Sequence, residues 1–329
     1  MNTPLVSIVI PTFNRAFLIA ETLDSVLAQT YTNRECIVVD DGSTDATEKL
    51  LKDYCQKDPR FQYHHRPNNR TKGANACRNY GFELSTGEYI QFFDSDDQVD
   101  SNILKSCVNI YKSNPKVDFI FFNYLVYEKA ISNIIISQDN NSKAPFHDYF
   151  AGKINLQTGS VLWKNETILK TCFDENLKKS QELNFIFTLY KNAGSQSLNG
   201  IYLNTNGFYL RKHENSIVGF FHNLKPDYLF SDIIVRNQIL KYFSKPEHIA
   251  IHLKHRYEIK RSLRFYFYHC NLIDFIKIVF KLNSPYKFLG IIKAKLLFYK
   301  IVFTLSKRDY RLNKVINLLY IEEFYLDYK

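Results

Sequence analysis

No pair of cysteines in this 329-residue chain stands in a CxxC arrangement or at a metal-finger spacing. The six, Cys36, Cys55, Cys77, Cys107, Cys172 and Cys270, are scattered, which argues against a disulfide framework and for reduced, buried thiols in a cytosolic compartment. No charge-free hydrophobic run approaches the ~20 residues of a membrane-spanning helix. The opening MNTPLVSIVIPTF has no basic leader, carries Pro4 and Pro11, and is β-branched over its short apolar run. It reads as a first strand, not as a signal or an anchor. Internal repeats, low-complexity tracts and nucleic-acid motifs are absent. The sequons NNS at 140 and NET at 165 carry no weight in a chain read as cytoplasmic. Glycine is nearly absent after residue 244, and with Pro246 suited to a first helical turn, residues 244 to 329 read as mostly helical.

What is present is an ordinary globular composition, 45% hydrophobic, long enough for a large domain with an appendage. The net charge of +10 is unevenly spread. Residues 1 to 219 hold 23 Lys and Arg against 24 Asp and Glu, whereas residues 220 to 329 hold 20 against 9. Such asymmetry points to an anionic partner for the last third. In FLGIIKAKLLFYKIVFTLSKR, Lys293, Lys300 and Lys307 recur on one side of a helix and Leu289, Ile292, Leu296 and Phe303 largely on another. That pattern suits peripheral docking on an anionic membrane or, equally, an amphipathic helix packed on the rest of the protein.

Short apolar runs alternate with helical periodicity over the first hundred residues, as in βαβ units. Strands are expected at 6–13, 35–40, 89–93 and 117–127. Helices are expected over 15–30, after an N-cap at Ser43, over GANACRNYGFELSTG, and around 103–111. From 128 to 160 the pattern is weak, and QDNNSKAP reads as a loop. Three strand ends are unusually polar, PTFNR, DDGSTD and DSDD, and in parallel sheets ligands sit at the carboxyl ends of strands. Asp40 and Asp41, before Gly42 and Ser43, suit a ribose or base reader, or a helix cap. Asp94, Ser95, Asp96 and Asp97 place three carboxylates in four positions, which is unfavourable without a compensating cation, hydrogen bonds or water. A hard divalent ion, Mg²⁺ or Mn²⁺, held by one or two carboxylates and substrate phosphates, would compensate them.

The segments VSIVIPTFNRAFLIAETLDSVLAQTY, IVVDDGSTDAT, GANACRNYGFELSTGEYIQFFDSDD, FDENLKKSQELNFIFTL and YLRKHENS, in this order over residues 4 to 216, resemble the family 2 glycosyltransferases. The resemblance implies an α/β fold of the GT-A type: a Rossmann-like, mainly parallel sheet flanked by helices, with a mostly helical C-terminal extension. It implies a catalytic domain over 1–219, its nucleotide-sugar half about 1–127 and its acceptor half about 128–219, followed by a basic helical region at 220–329.

By the same resemblance, Pro11, Thr12 and Phe13 wall a nucleobase, Asp41 reads it, and Lys72 touches the nucleotide. Asp94, Ser95, Asp96 and Asp97 face the donor, with Asp96 and His213 as metal ligands for Mg²⁺ or Mn²⁺. Relatives commonly carry Glu-Asp where this chain has Gln181 and Glu182, so Glu182 matches the base that deprotonates the acceptor hydroxyl. The implied activity is inverting transfer from a nucleotide-sugar donor, UDP-linked, to a glycan or lipid-linked acceptor in surface polysaccharide synthesis. The implied location is cytoplasmic or peripheral on the inner membrane face. The segment around Gly159 to Trp163 is expected to face the acceptor. Arg78 is read as a helix-surface or salt-bridge residue. A non-catalytic nucleotide-sugar-binding protein, suggested by Gln181, and a basic nucleic-acid binder are the alternative classes, with no nucleic-acid partner expected.

Overall fold

The computed structural model describes residues 3–128, 130–194, 198–212 and 226–269, together with residues 273, 275, 276, 297 and 300. It divides into two units. The first comprises Met1–Tyr149, Lys153–Leu177 and Gln181–Gly219, and the second Phe150–Gly152, Lys178–Ser180 and Phe220–Lys329.

The first unit is built on one sheet in the order β3-β2-β1-β4-β8-β6-β9-β5, with β7 paired to β6. Its first half is β1 (Val6–Thr12), α1 (Ile19–Leu27), β2 (Arg34–Asp40), α2 (Thr47–Lys57), β3 (Phe61–His65), α3 (Ala74–Leu84) and β4 (Tyr89–Phe92), all four strands parallel. Strands β1, β2 and β4 are buried along their whole length, which is why they read as continuous apolar runs in place of alternating ones. Helix α1 buries Ile19, Leu23 and Val26. Helix α3 packs so closely on the sheet that a Cβ on Gly81 would lie 2.5 Å from Val9 and 3.2 Å from Val39.

The second half is β5 (Gln98–Val99), α4 (Ile103–Ser113), β6 (Phe119–Glu128), β7 (Ala130–Gln138), α5 (Pro145–Phe150), β8 (Val161–Lys164), α6 (Asn165–Ile168), α7 (Gln181–Ala193) and β9 (Gly200–Lys212). Here the sheet turns mixed. β8 enters antiparallel between β4 and β6, while β9 runs parallel to β6. Tyr89 stacks on Tyr111 beneath it, with ring centroids 4.1 Å apart. Among the described residues the second unit holds α8 (Pro226–Tyr242), a short 3-10 turn at Pro246–His248 with the proline in its first turn, and α9 (Ile249–His269).

Several expectations need correction. Ser43 does not cap α2, which starts at Thr47 with Ala46 at the N-cap and no side-chain cap, while Asp45 Oδ1 accepts from the Thr47 N–H at 3.0 Å. The segment Gly159 to Trp163, expected to face an acceptor, is packed into the core. Ser160, Val161, Leu162 and Trp163 are buried, and a Cβ on Gly159 would meet Phe208 at 2.8 Å. Cys36, Cys77 and Cys107 are buried as expected, but Cys172 is exposed. Lys300 does not lie on a solvent or headgroup face. It is buried, its Nζ 5.4 Å from the Phe267 ring centre and 5.6 Å from that of Phe275, and it donates to the Phe267 carbonyl. Lys293 and Lys307 lie outside the described residues. Asn140 of the first sequon is fully buried and donates to the Phe122 carbonyl. No helix among the described residues is long and apolar enough to cross a membrane.

Candidate active site at three strand ends

The loops after β1 and β2 are clasped to each other. Asn14, in the left-handed region at φ 51°, donates its N–H to Ser43 Oγ at 2.8 Å and accepts at its side-chain oxygen from the Thr44 N–H at 2.8 Å. Gly42, at φ 87°, makes the turn a side chain would strain. Asp40 accepts from the Ser43 N–H and hydroxyl on one oxygen, at 2.9 and 2.6 Å, and from the Tyr63 hydroxyl on the other, at 3.0 Å. Asp41, also buried, pairs with Arg66 Nε at 2.5 Å, and its N–H donates to the Thr12 carbonyl. Sequence inspection missed Arg66 because it follows β3, whose half-polar FQYHH does not read as a strand.

Of the residues expected to wall a nucleobase, Pro11 and Thr12 are buried in β1, with Thr12 Oγ1 buried and lacking a hydrogen-bond partner among the described residues. Phe13 is 41% exposed just beyond the strand. Lys72 sits with its Nζ 4.2 Å from the Phe13 ring centre, so two residues 59 positions apart meet as a cation over an aromatic face.

The acidic turn after β4 is held from three sides. Arg78 of α3, itself buried, donates to Asp94 Oδ1 at 2.6 Å, to Asn75 Oδ1 at 3.0 Å and to Gln181 Oε1 at 3.1 Å. Its role is therefore the salt bridge, not the helix surface. Arg15, after β1, lies 3.5 Å from Asp96 Oδ2. Asp97 is buried and turned inward, its Oδ1 accepting from the Arg211 N–H at 2.8 Å. Burial, and then the charges of Asp96 and Asp94, push its carboxyl well above the usual range. Ser95 is buried as well. Asp94 and Asp96 keep 40% and 18% side-chain exposure, and they offer hard oxygen donors at the cluster's open side. This donor set fits a divalent ion that takes one or two protein carboxylates and completes its shell with phosphate and water. No group of three or more potential ligands stands together among the described residues, and His213 lies outside them.

Glu182 in the first turn of α7 retains some solvent contact, yet protein atoms crowd its carboxylate. The hydroxyls of Tyr149 and Thr158 each approach it at 3.4 Å. Its carboxyl is pushed up to about 8, first by burial and then by the Asp94 charge, with Arg78 and the two hydroxyls opposing. The segment before α7 is pinned to α3. Asn79 exchanges hydrogen bonds with Phe173, Asn75 donates to the Asp174 carbonyl, and Phe173 stacks on Phe185 of α7 at 4.3 Å. Tyr149 and Thr158 gave no sequence signal of their own, and Arg15 appeared only as the end of PTFNR, without a role. Their partners are 33, 24 and 81 positions away.

Residues 7–160 match the family model described as glycosyl transferase family 2. An uncharacterized glycosyltransferase of Rickettsia bellii (strain RML369-C) is 41% identical over 116 residues, which are 35% of this chain and 16% of that protein. The chain spans less than two thirds of the curated relatives it matches first, from 15% to 64% of their length. Among solved structures, residues 1–349 of S. aureus TarS in complex with UDP-GlcNAc align with a TM-score of 0.60 at 18% identity, covering 90% of this chain and 81% of that one. The mannosyltransferase PcManGT from Pyrobaculum calidifontis, in complex with GDP-Man and Mn²⁺, aligns at 0.55 and 16% identity, covering 94% and 89%. These two likenesses are of fold, and the fold is the GT-A type. Over residues 7–160, just under half of the chain, the protein is similar to glycosyl transferase family 2, in line with the resemblance read from its motifs.

Proposed function

We propose that the chain is an inverting glycosyltransferase. It moves a sugar from a nucleotide diphosphate sugar, UDP-linked, to a hydroxyl of a glycan or lipid-linked acceptor in surface polysaccharide or lipopolysaccharide synthesis. The observation that carries this reading is Glu182: a crowded carboxylate contacted by the Tyr149 and Thr158 hydroxyls and pushed up to about 8 by burial and the Asp94 charge. The clasped turns and Phe13 with Lys72 would receive the nucleotide. Asp94 would contact the donor, and Arg78 holds that carboxylate in place.

Glu182 removes the proton of the acceptor hydroxyl as the oxygen attacks the anomeric carbon. The bond to the diphosphate breaks in the same displacement, which inverts the configuration. Asp96 would hold, with Asp94 beside it, the Mg²⁺ or Mn²⁺ whose positive charge favours the departing diphosphate. The presence of Mn²⁺ with GDP-Man in a protein of the same fold supports that reading. The basic excess after residue 220 supports an anionic acceptor surface, such as lipid-linked glycan at a membrane.

Gln181 does not by itself argue for lost turnover, because its Oε1 still accepts from Arg78 and its Nε2 donates to the Leu177 carbonyl at 2.9 Å. The test is the full chain with Mn²⁺ and a panel of nucleotide sugars, with products read by mass spectrometry. Glu182→Gln should cut transfer by roughly 10²- to 10⁴-fold and leave UDP binding within about twofold. Tight metal-dependent nucleotide binding with neither transfer nor slow donor hydrolysis would leave the binding protein as the answer.

A further inference from the structure

Helix α7 begins where the chain leaves the second unit. Lys178–Ser180 belong to that unit, and the next two residues are Gln181 and Glu182. Lys178 donates its N–H to Ser231 Oγ at 2.9 Å, and Ser231 in turn donates to the Asp227 carbonyl. The Ser180 hydroxyl donates to Asp232 Oδ1 at 2.6 Å. Ser180 also has φ 57°, a left-handed backbone uncommon for any residue with a Cβ, directly before the first helical turn.

Asp232 is only 1% exposed, so its charge must be matched within the protein. It accepts from Arg236 Nε at 2.8 Å and, on its other oxygen, from the Ser262 hydroxyl at 3.0 Å. Arg236 lies 3.2 Å from Nδ1 of buried His255, whose imidazole is held neutral because burial, Arg236 and Lys254 all lower its pKa. This network binds no part of the proposed donor site. A surface helix would not require it. The other stretch in the second unit, Phe150–Gly152, follows directly on Tyr149, which donates to Glu182.

We propose that Asp232 is a positioning residue for Glu182. By holding Ser180 in its left-handed conformation, it sets the direction in which the first turn of α7 presents the carboxylate. The inference rests on the reading of Glu182 as the base. Asp232 touches neither sugar nor nucleotide and acts only through Ser180.

The test compares the full-length wild type with Asp232→Ala, Ser180→Ala and Glu182→Gln. Hydrogen exchange is followed in peptides covering residues 176–187 and in peptides from β1 to β4. UDP binding with Mn²⁺ is measured by calorimetry, and kcat against pH with the donor that the wild type turns over. In Asp232→Ala and Ser180→Ala, exchange at the start of α7 should rise about tenfold while the β1–β4 peptides are unchanged. kcat should fall about ten- to a hundredfold with a displaced acid limb, while UDP affinity and donor KM hold within about twofold. If Asp232→Ala does not fold, Ser180→Ala, which removes only a hydroxyl, decides. Wild-type exchange at residues 176–187, or a wild-type kcat and pH profile, in a folded variant overturns the inference. Unchanged exchange with transfer lost in Glu182→Gln discards Asp232 alone. Raised exchange with transfer surviving in Glu182→Gln discards the base, and with it the catalytic meaning of the anchor.

Discussion

Asp40 and Asp41, at the end of β2, place their carboxylates on partners inside the protein: Ser43, Tyr63 and Arg66. The turn after β4 is built the other way. Its three carboxylates stand within four positions, two of them partly open to solvent, and burial, then the charges of Asp96 and Asp94, raises the carboxyl of Asp97. The first turn is a clasp whose acids are consumed in joining two loops. The second is a cluster in which Arg78 and Arg15 pair with two partly open carboxylates while the third, Asp97, is buried. The composition of the two turns, DDGS and DSDD, does not reveal this difference. It lies in the partners.

The contrast breaks most directly at Asp96. Asp96→Ala should lower Mn²⁺-dependent UDP affinity by about a hundredfold, about 2.7 kcal/mol, without lowering the melting temperature, since the change relieves repulsion at Asp97. Calorimetric titration of UDP with and without Mn²⁺ reads the first effect and a thermal scan the second. A variant that loses stability and keeps affinity would make the second turn a clasp like the first.

Asp40→Ala should do the reverse. It strands the half-buried Ser43 and Tyr63 hydroxyls and should cost about 2 kcal/mol of stability in urea unfolding. UDP affinity should fall only as far as the β1 and β2 loops loosen. Equal losses of affinity in the two variants would erase the division between clasp and cluster.

Much of this was legible in the chain. β1, β2 and β4 announce themselves because strands buried on both faces become mostly apolar runs, and α3 because its glycines and small residues meet helical spacing. β3 did not, since an edge strand exposing Gln62, His64 and His65 to varying degrees keeps a polar pattern. β8, at four residues, is too short for periodicity to show, and it reverses the sheet direction where a further βαβ unit was expected. In the site, the acids could be found from their spacing and Glu182 from the family resemblance. Arg78 could not be placed, because a buried guanidinium is recognisable only by partners, and Asp94 and Gln181 lie 16 and 103 residues away.

The Asp94 charge also reaches Glu182, which makes pH a finer probe of the cluster. Glu182 titrates near 8 when folded and near its ordinary value when unfolded, so between about 4.5 and 8 the folded state binds more protons. Stability is therefore lost as pH rises through that window, and Glu182→Gln should flatten this slope in melting curves from pH 5 to 9. Activity runs oppositely: kcat/KM should climb with pH through about 8, because only the ionised base accepts a proton. An acid limb near 5 would mean that neither burial nor the Asp94 charge raises the base in the working protein.

The smallest effect expected is at Asp97, whose carboxyl is raised by burial and by Asp96 and Asp94 while its Oδ1 accepts from the Arg211 N–H. An amide oxygen can accept that hydrogen bond equally well, so Asp97→Asn removes the charge and keeps the contact. Near pH 3.5 the carboxyl is largely protonated in both states, and the two proteins should melt together. As pH rises the unfolded chain ionises first and the wild type loses stability, so the variant should melt higher, by a margin that grows towards pH 7.5. Adding Mn²⁺ with UDP should narrow that margin, because a cation at Asp96 offsets the repulsion felt by Asp97. A wild type that melts with the variant at pH 7.5, without ligand, would mean that the β4 turn is as fully satisfied as the β2 turn.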